Sequence, residues 1–224
     1  MWKNVRVMDD FKHKGRRAQL IELLRNKGIE DENVLNAMNQ VPRHLFLDSA
    51  FEQYAYEDKA FPIAAGQTIS HPFTVATQSS LLHINPGDKV LEIGTGSGFQ
   101  TAVLVKMGAE VYTIERQKEL FDFSQRMFKK IQVEPRYAIY GDGYKGLPSF
   151  APFDRIIVTA GSATLPNALL KQLAIGGIMV IPIGVDNQKM FAIMRVGERS
   201  FERTEFGDYQ FVPMLQRTQK DFEF

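Results

Sequence analysis

Three glycines alternate through the stretch VLEIGTGSGFQ, at Gly94, Gly96 and Gly98, between an apolar strand-like run and a helix-like run. Glycine belongs where backbone turns through positive φ or must approach a ligand with no Cβ in the way. The helix that follows offers unpaired N–H groups to an anionic ligand group. A nicotinamide-dinucleotide loop of the form G-x-G-x-x-G would need glycine at position 99, and Phe99 stands there. Two carboxylates extend the pattern. Glu115 closes the next strand-like run, EVYTIE, where an acidic group can accept hydrogen bonds from both ribose hydroxyls. Asp142, in YGDGYKG, follows the third run and could accept from an adenine amino group, although Asp142-Gly143 is also ordinary turn chemistry. Ser97 and Gly143 complete the expected nucleotide-binding set.

A second group of polar residues precedes this loop. PIAAGQTISHPFTVATQ places Gln67, Thr68 and Ser70 close together, just before Pro72. Pro72 suits the first turn of a helix running to about Leu82. Ser70 is therefore placed either to cap that helix or to present its hydroxyl to a ligand. His71 adds a titratable group, expected to be solvated or capping.

The elements that must position these residues follow from periodicity. Lys14–Asn26 reads as a helix with Leu20, Ile21, Leu23 and Leu24 on one face, ending near Gly28. Asp31 reads as the N-cap of a second helix with Val34, Leu35 and Met38 inward. Residues 43–66 read as loop and short strand, so 1–83 form a mainly helical preface carrying the Thr68–Ser70 loop. After the Pro86-Gly87 turn, strands at KVLEIG, EVYTIE, RYAIYG, DRIIVTAG and GIMVIPIG alternate with helices at about Ser97–Lys106, Gln117–Ile131 and Leu165–Leu173. Such alternation predicts a doubly wound α/β domain over 84–224, its mostly parallel sheet covered on both faces. The last stretch, from Lys189, has no long helix and predicts antiparallel strands at the sheet edge. Preface and domain are expected to form one compact unit.

Composition narrows the function. Lys and Arg total 27 against 26 Asp and Glu, which disfavours nucleic acid as a partner, because phosphate contacts need clustered basic charge. The basic run RMFKK fits a solvated helix face. There is no cysteine, and the four histidines show no metal-ligand spacing, so neither a metal site nor a thiol nucleophile is expected. The start is polar and no run approaches membrane-spanning length, so the expectation is a cytoplasmic protein without membrane contact.

The glycine loop with its preceding Glu92 resembles that of class I S-adenosylmethionine-dependent methyltransferases, with a Rossmann-like fold. VPRHLF, AGQTISHP, VLEIGTGSGFQTAVL, VYTIER, GDGYKGLP, APFDRIIVTAG, LLKQLAIGGIMVIPIG and FVPM together resemble, in order, the protein-L-isoaspartate O-methyltransferases. The resemblance implies that Ser70 is the active-site residue, that Thr68 touches cofactor or substrate, and that Gly94, Gly96, Ser97, Gly98, Glu115, Asp142 and Gly143 hold S-adenosylmethionine. It implies methylation of the free α-carboxylate of isoaspartyl residues in damaged proteins, which starts repair through a succinimide, by a monomer. Alternatives are a methyltransferase for tRNA or a small molecule, and a non-catalytic cofactor binder. The chain departs from the family pattern at His71–Gln78 and at Ala64-Ala65, where family members often carry glycine.

Overall fold

The computed structural model describes residues 9–218. The chain runs α1 (Phe11–Asn26), α2 (Glu32–Gln40), two short 3-10 turns (Arg43–Phe46 and Ser49–Tyr54), β1 (Phe61–Pro62), β2 (Thr68–Ile69) and α3 (Pro72–Leu81). The domain follows as β3 (Lys89–Ile93), α4 (Phe99–Lys106), β4 (Glu110–Glu115), α5 (Lys118–Ile131), β5 (Tyr137–Tyr140), β6 (Phe153–Val158), α6 (Asn167–Leu170), β7 (Leu173–Ile183), β8 (Gln188–Arg195) and β9 (Phe201–Tyr209). The seven-stranded sheet has the order β5-β4-β3-β6-β7-β8-β9. Strands β3 to β7 are parallel, and β8 and β9 add antiparallel at one edge, as the sequence predicts. The chain leaves β3 for β4 and β5, then returns to β3's other side as β6. That reversal opens the crevice in which such sheets bind ligands.

Strand alternation divides the core. Val90, Val111, Ile157 and Val180 face one way and pack with α1–α5 residues such as Leu24, Leu35, Val75, Leu104 and Phe128. Leu91, Ile114, Ile156, Val158 and Met179 face the other way and pack with Leu147, Leu169 and Leu170. The helical preface thus shares one apolar cluster with one sheet face. No helix among the described residues is long and apolar enough to cross a membrane.

Several expectations need correction. Helix α1 starts at Phe11, not Lys14, because the Asp10 side chain accepts from His13 N at 2.8 Å and caps it. Leu23 is 40% exposed, so the buried face of α1 is narrower than its apolar pattern. Helix α4 begins at Phe99 rather than Ser97, because Gly98 lies at φ 90°, outside helical backbone. The helix expected over Leu165–Leu173 shrinks to Asn167–Leu170, since Phe153 N already bonds Gln172 O and Leu173 pairs with Phe153 in the sheet. Residues 1–8 of the preface and 219–224 of the domain lie outside the described residues.

Folding also unites two histidines whose spacing shows no relation. The His13 and His44 rings stack at 3.8 Å and 6°, and with Asp9 they present atoms within 4.8 Å of one another. Asp9 spends both oxygens on the Arg17 guanidinium, each at 2.9 Å. Parallel rings direct their lone pairs side by side rather than toward one ion. The cluster instead fastens α1 to the first 3-10 turn, with Arg17 also bonding Asn39 O and Tyr56 Oη.

Candidate active site

The glycine loop leaves β3 at Gly94, which lies at φ 97°. Thr159, just past the end of β6, donates to the carbonyls of Ile93 at 2.9 Å and Gly94 at 2.6 Å. A Cβ at Gly94 would sit 2.5 Å from the Thr159 Oγ1. Gly98 is constrained too: its φ is 90° and a Cβ there would meet the Phe128 ring at 2.7 Å. Close backbone approach and left-handed turning are thus both built into the loop.

Glu115 locks the loop from the next strand. Its Oε2 accepts from Gly96 N and its Oε1 from Gln117 N, each at 2.8 Å. The group is 5% exposed, and burial pushes its pKa up against the opposing pull of those N–H donors. Each oxygen retains a lone pair for a further donor, and Glu115 stands on the wall of the pocket. Glu92 lies beneath the loop. Its Oε2 accepts from Thr101 and Thr113, its Oε1 is buried without a partner, and burial raises its pKa to about 7.

The opposite wall is the Gln67–Ser70 loop. The β1–β2 pair, Phe61 against Ile69, turns the chain through Ala64–Gly66. Ala65 sits at φ 57°, a left-handed conformation that costs a residue with a Cβ about 1–2 kcal/mol. Ser70 does not cap α3, against one reading of the sequence. The helix starts behind His71, whose exposed side chain caps nothing, and the donor at Phe73 N is met by Asp58 Oδ1 at 2.8 Å. Asp58 in turn pairs with Lys27 at 2.6 Å. Ser70 lines the pocket beside Thr68.

One pocket therefore collects Thr68, Ser70, Gly94, Gly96, Ser97, Glu115 and Gly143. A Cβ on Gly143 would lie 2.4 Å from Ile93 Cγ2, so only glycine fits there. Against this site, residues 15–219 match the protein-L-isoaspartate(D-aspartate) O-methyltransferase family. The chain belongs to this family. It is 57% identical over 210 residues to the protein-L-isoaspartate O-methyltransferase of Flavobacterium johnsoniae, covering 94% of this chain and 99% of that one. The Christiangramia forsetii enzyme of that name is 54% identical over the same shares. Among solved structures, one described as a Plasmodium falciparum protein-L-isoaspartate O-methyltransferase in complex with S-adenosyl-L-homocysteine superposes with a TM-score of 0.78 at 28% identity, covering 91% of this chain and 98% of that one. Another protein-L-isoaspartate O-methyltransferase gives 0.81 at 27%, covering 88% of this chain and 65% of that longer one.

Two features of this methyltransferase were not visible in residue spacing. Asp142 stands behind Gly143 rather than on the wall. Its Oδ1 accepts from Tyr144 N at 2.9 Å and its Oδ2 from Arg217 N at 3.0 Å, so turn chemistry already occupies one lone pair of each oxygen. The other feature is a wall made by Val212–Leu215. That segment is pinned by Gly161 N to Val212 O and Met214 N to Gly161 O, both 2.8 Å, and by Tyr144 Oη to Met214 O at 3.3 Å. The FVPM run was its one sequence signal.

Proposed function

We propose that this chain methylates the free α-carboxylate of L-isoaspartyl residues in damaged proteins, with S-adenosylmethionine as methyl donor. The observation that carries the reading is the single pocket lined both by Thr68 and Ser70 and by the glycine loop and Glu115. The residues present fit the cofactor: a loop that only glycine can build, and a buried carboxylate with acceptor capacity to spare. When bound, the cofactor supplies an electrophilic methyl on a sulfonium.

The chain's own residues do the rest. Glu115 would hold the ribose hydroxyls, the Gly94–Gly98 backbone would come close to the cofactor, and Gly143, with no Cβ, would leave room beside it. Asp142 stands behind the wall, and its remaining lone pairs would serve the adenine amino group only if that group reached past Gly143. An α-carboxylate has a pKa of about 3.5 and is ionised at neutral pH, so no side chain has to remove a proton. What remains is in-line placement. Ser70 donates one hydrogen bond to the acceptor carboxylate, and Thr68 borders the same space. The methyl ester formed carries a good leaving group, so the neighbouring backbone nitrogen closes a succinimide, and hydrolysis of that ring restores a share of normal aspartyl linkage. Both walls of the pocket come from one chain, which supports action as a monomer.

The test is labelled methyl transfer to an isoaspartyl peptide beside its aspartyl twin. Labelling of the isoaspartyl peptide alone is expected. Equal labelling of both, or of neither, would defeat the reading.

A further inference from the structure

Among the described residues Arg43 heads the fully buried side chains at 1% exposed, yet no carboxylate among them holds its charge by a hydrogen bond. Nη1 donates to Ala55 O at 2.5 Å, while Nη2 donates to Lys59 O and to Ser70 O, both at 3.0 Å. Nε has no partner. The rings of Phe61 and Phe99 each lie 5.6 Å from the guanidinium carbon. Burying a cation whose hydrogen bonds go to carbonyls, with Asp58 acting on it only at a distance, is costly compared with an apolar filling of the same space. The guanidinium does, however, offer donors in a fixed planar fork, which a point-like ammonium does not.

The ends of that fork are informative. Ala55 closes the second 3-10 turn, Lys59 precedes β1, and Ser70 follows β2 at the pocket. Phe99 opens α4 immediately after Gly98, and it too borders the pocket. Arg43 therefore touches both the loop that receives the acceptor and the helix that begins at the cofactor loop. We propose that Arg43 is a positioning residue for methyl transfer: by gripping the Ser70 carbonyl while packed on Phe99, it sets the separation of acceptor loop and cofactor loop. This rests on the assignment of Ser70 to the acceptor carboxylate. Displacements of about 1 Å in such an arrangement can cost about 100-fold in rate, so a clamp acting through backbone is felt in turnover.

Arg43→Lys keeps the charge and removes the fork. With the isoaspartyl peptide, kcat should fall by about 10-fold or more, while S-adenosylhomocysteine affinity stays within about threefold. Because the two residues act as one unit, Arg43→Lys should slow a Ser70→Ala enzyme far less than it slows the wild type. An unchanged kcat, a parallel loss of S-adenosylhomocysteine affinity, or fully additive effects would each overturn the proposal. An inactive wild type would instead overturn the acceptor reading, and this proposal with it. Should Arg43→Lys not fold, 15N-arginine-labelled wild-type protein bound to S-adenosylhomocysteine carries the test. The two buried arginines among the described residues, Arg17 and Arg43, should keep slowly exchanging Nε–H signals, with Arg17→Lys assigning them. The Arg43 signal should move on adding the isoaspartyl peptide and not its twin. A signal that stays still at saturation refutes the clamp.

Discussion

Replacing Ser70 by Ala separates two roles that one serine could fill. If it capped α3, the loss would appear in stability, at about 0.5–2 kcal/mol. The structure assigns that job elsewhere: Asp58 Oδ1 accepts from Phe73 N at 2.8 Å, and the serine side chain makes no cap bond. Loss of a half-exposed hydroxyl should then change stability by less than about 0.5 kcal/mol, or about 1–2 °C in Tm for a chain of this length. The cost should fall on the reaction. A hydrogen bond to a charged acceptor contributes about 1.5–3 kcal/mol, and about 1.4 kcal/mol is a factor of ten in rate. That predicts a kcat/KM for the isoaspartyl peptide lower by about 10- to 150-fold. Labelled methyl transfer gives this quantity, calorimetry gives S-adenosylhomocysteine affinity, and thermal melts give Tm. If Tm falls by more than about 4 °C while kcat/KM of the folded enzyme is unchanged, the serine is structural and the reasoning fails.

Glu92, raised to about 7 in the fold, binds its proton there more tightly than in the unfolded chain, so its contribution to stability is full below about pH 4.5 and lost as pH rises through 7. Thermal melts of Glu92→Gln should therefore gain on the wild type between pH 5 and 8, by about 3 kcal/mol in total; a Tm difference flat with pH would show that the carboxyl is already ionised. His44, pushed down to about 4 by burial and by His13, runs the opposite way and cancels in that comparison. Gly98→Ala adds a Cβ 2.7 Å from the Phe128 ring at φ +90°, whereas Gly66→Ala at φ +65° meets nothing within 4 Å. Both incur the left-handed cost of about 1–2 kcal/mol, and Gly98→Ala adds about 1–3 kcal/mol of overpacking. Equal Tm losses for the two would refute the packing.

How much of this was legible in the sequence varies with the range of the interaction. The glycine loop, β3, β4 and the α5 span were readable, because strand period, helix period and turn residues are local. Glu115 could be placed at the pocket because it ends a strand adjacent to that loop. The trans cap on α3 was not readable: Asp58 lies 15 residues from Phe73, and no periodicity links them. The same holds for Arg43, whose partners at 55, 59 and 70 belong to irregular backbone. Leu165–Leu173 misled for a different reason. A run of apolar residues suits helix and buried strand alike, and the sheet took it from Leu173 because Phe153 offered a partner. At Ala65 the local preference is overruled outright, since the turn between β1 and β2 holds a residue with a Cβ in left-handed backbone.

The disposition of charge around the pocket follows from the reaction itself. Methyl transfer from a sulfonium to a carboxylate removes one positive and one negative charge. Groups that bind either charge tightly in the ground state therefore lose hold of it as the transition state forms, and they retard the step. A neutral hydroxyl guides the carboxylate without fixing its charge in an ion pair, which is the role proposed above for Ser70. The wall combines apolar side chains, Ile69, Val75, Ile93, Ile114 and Leu120, with polar ones and with Arg116, next to Glu115 in the chain, and its apolar part limits the water that would otherwise stabilise separated charges. The buried cation beside Ser70 is turned to carbonyls behind the loop, where it holds backbone rather than substrate. The buried anion, Glu115, is tied to Gly96 and Gln117 at the glycine loop. An arginine pointed directly at the acceptor would tighten peptide binding and slow the chemistry; one set behind Ser70 orders the loop at no such cost.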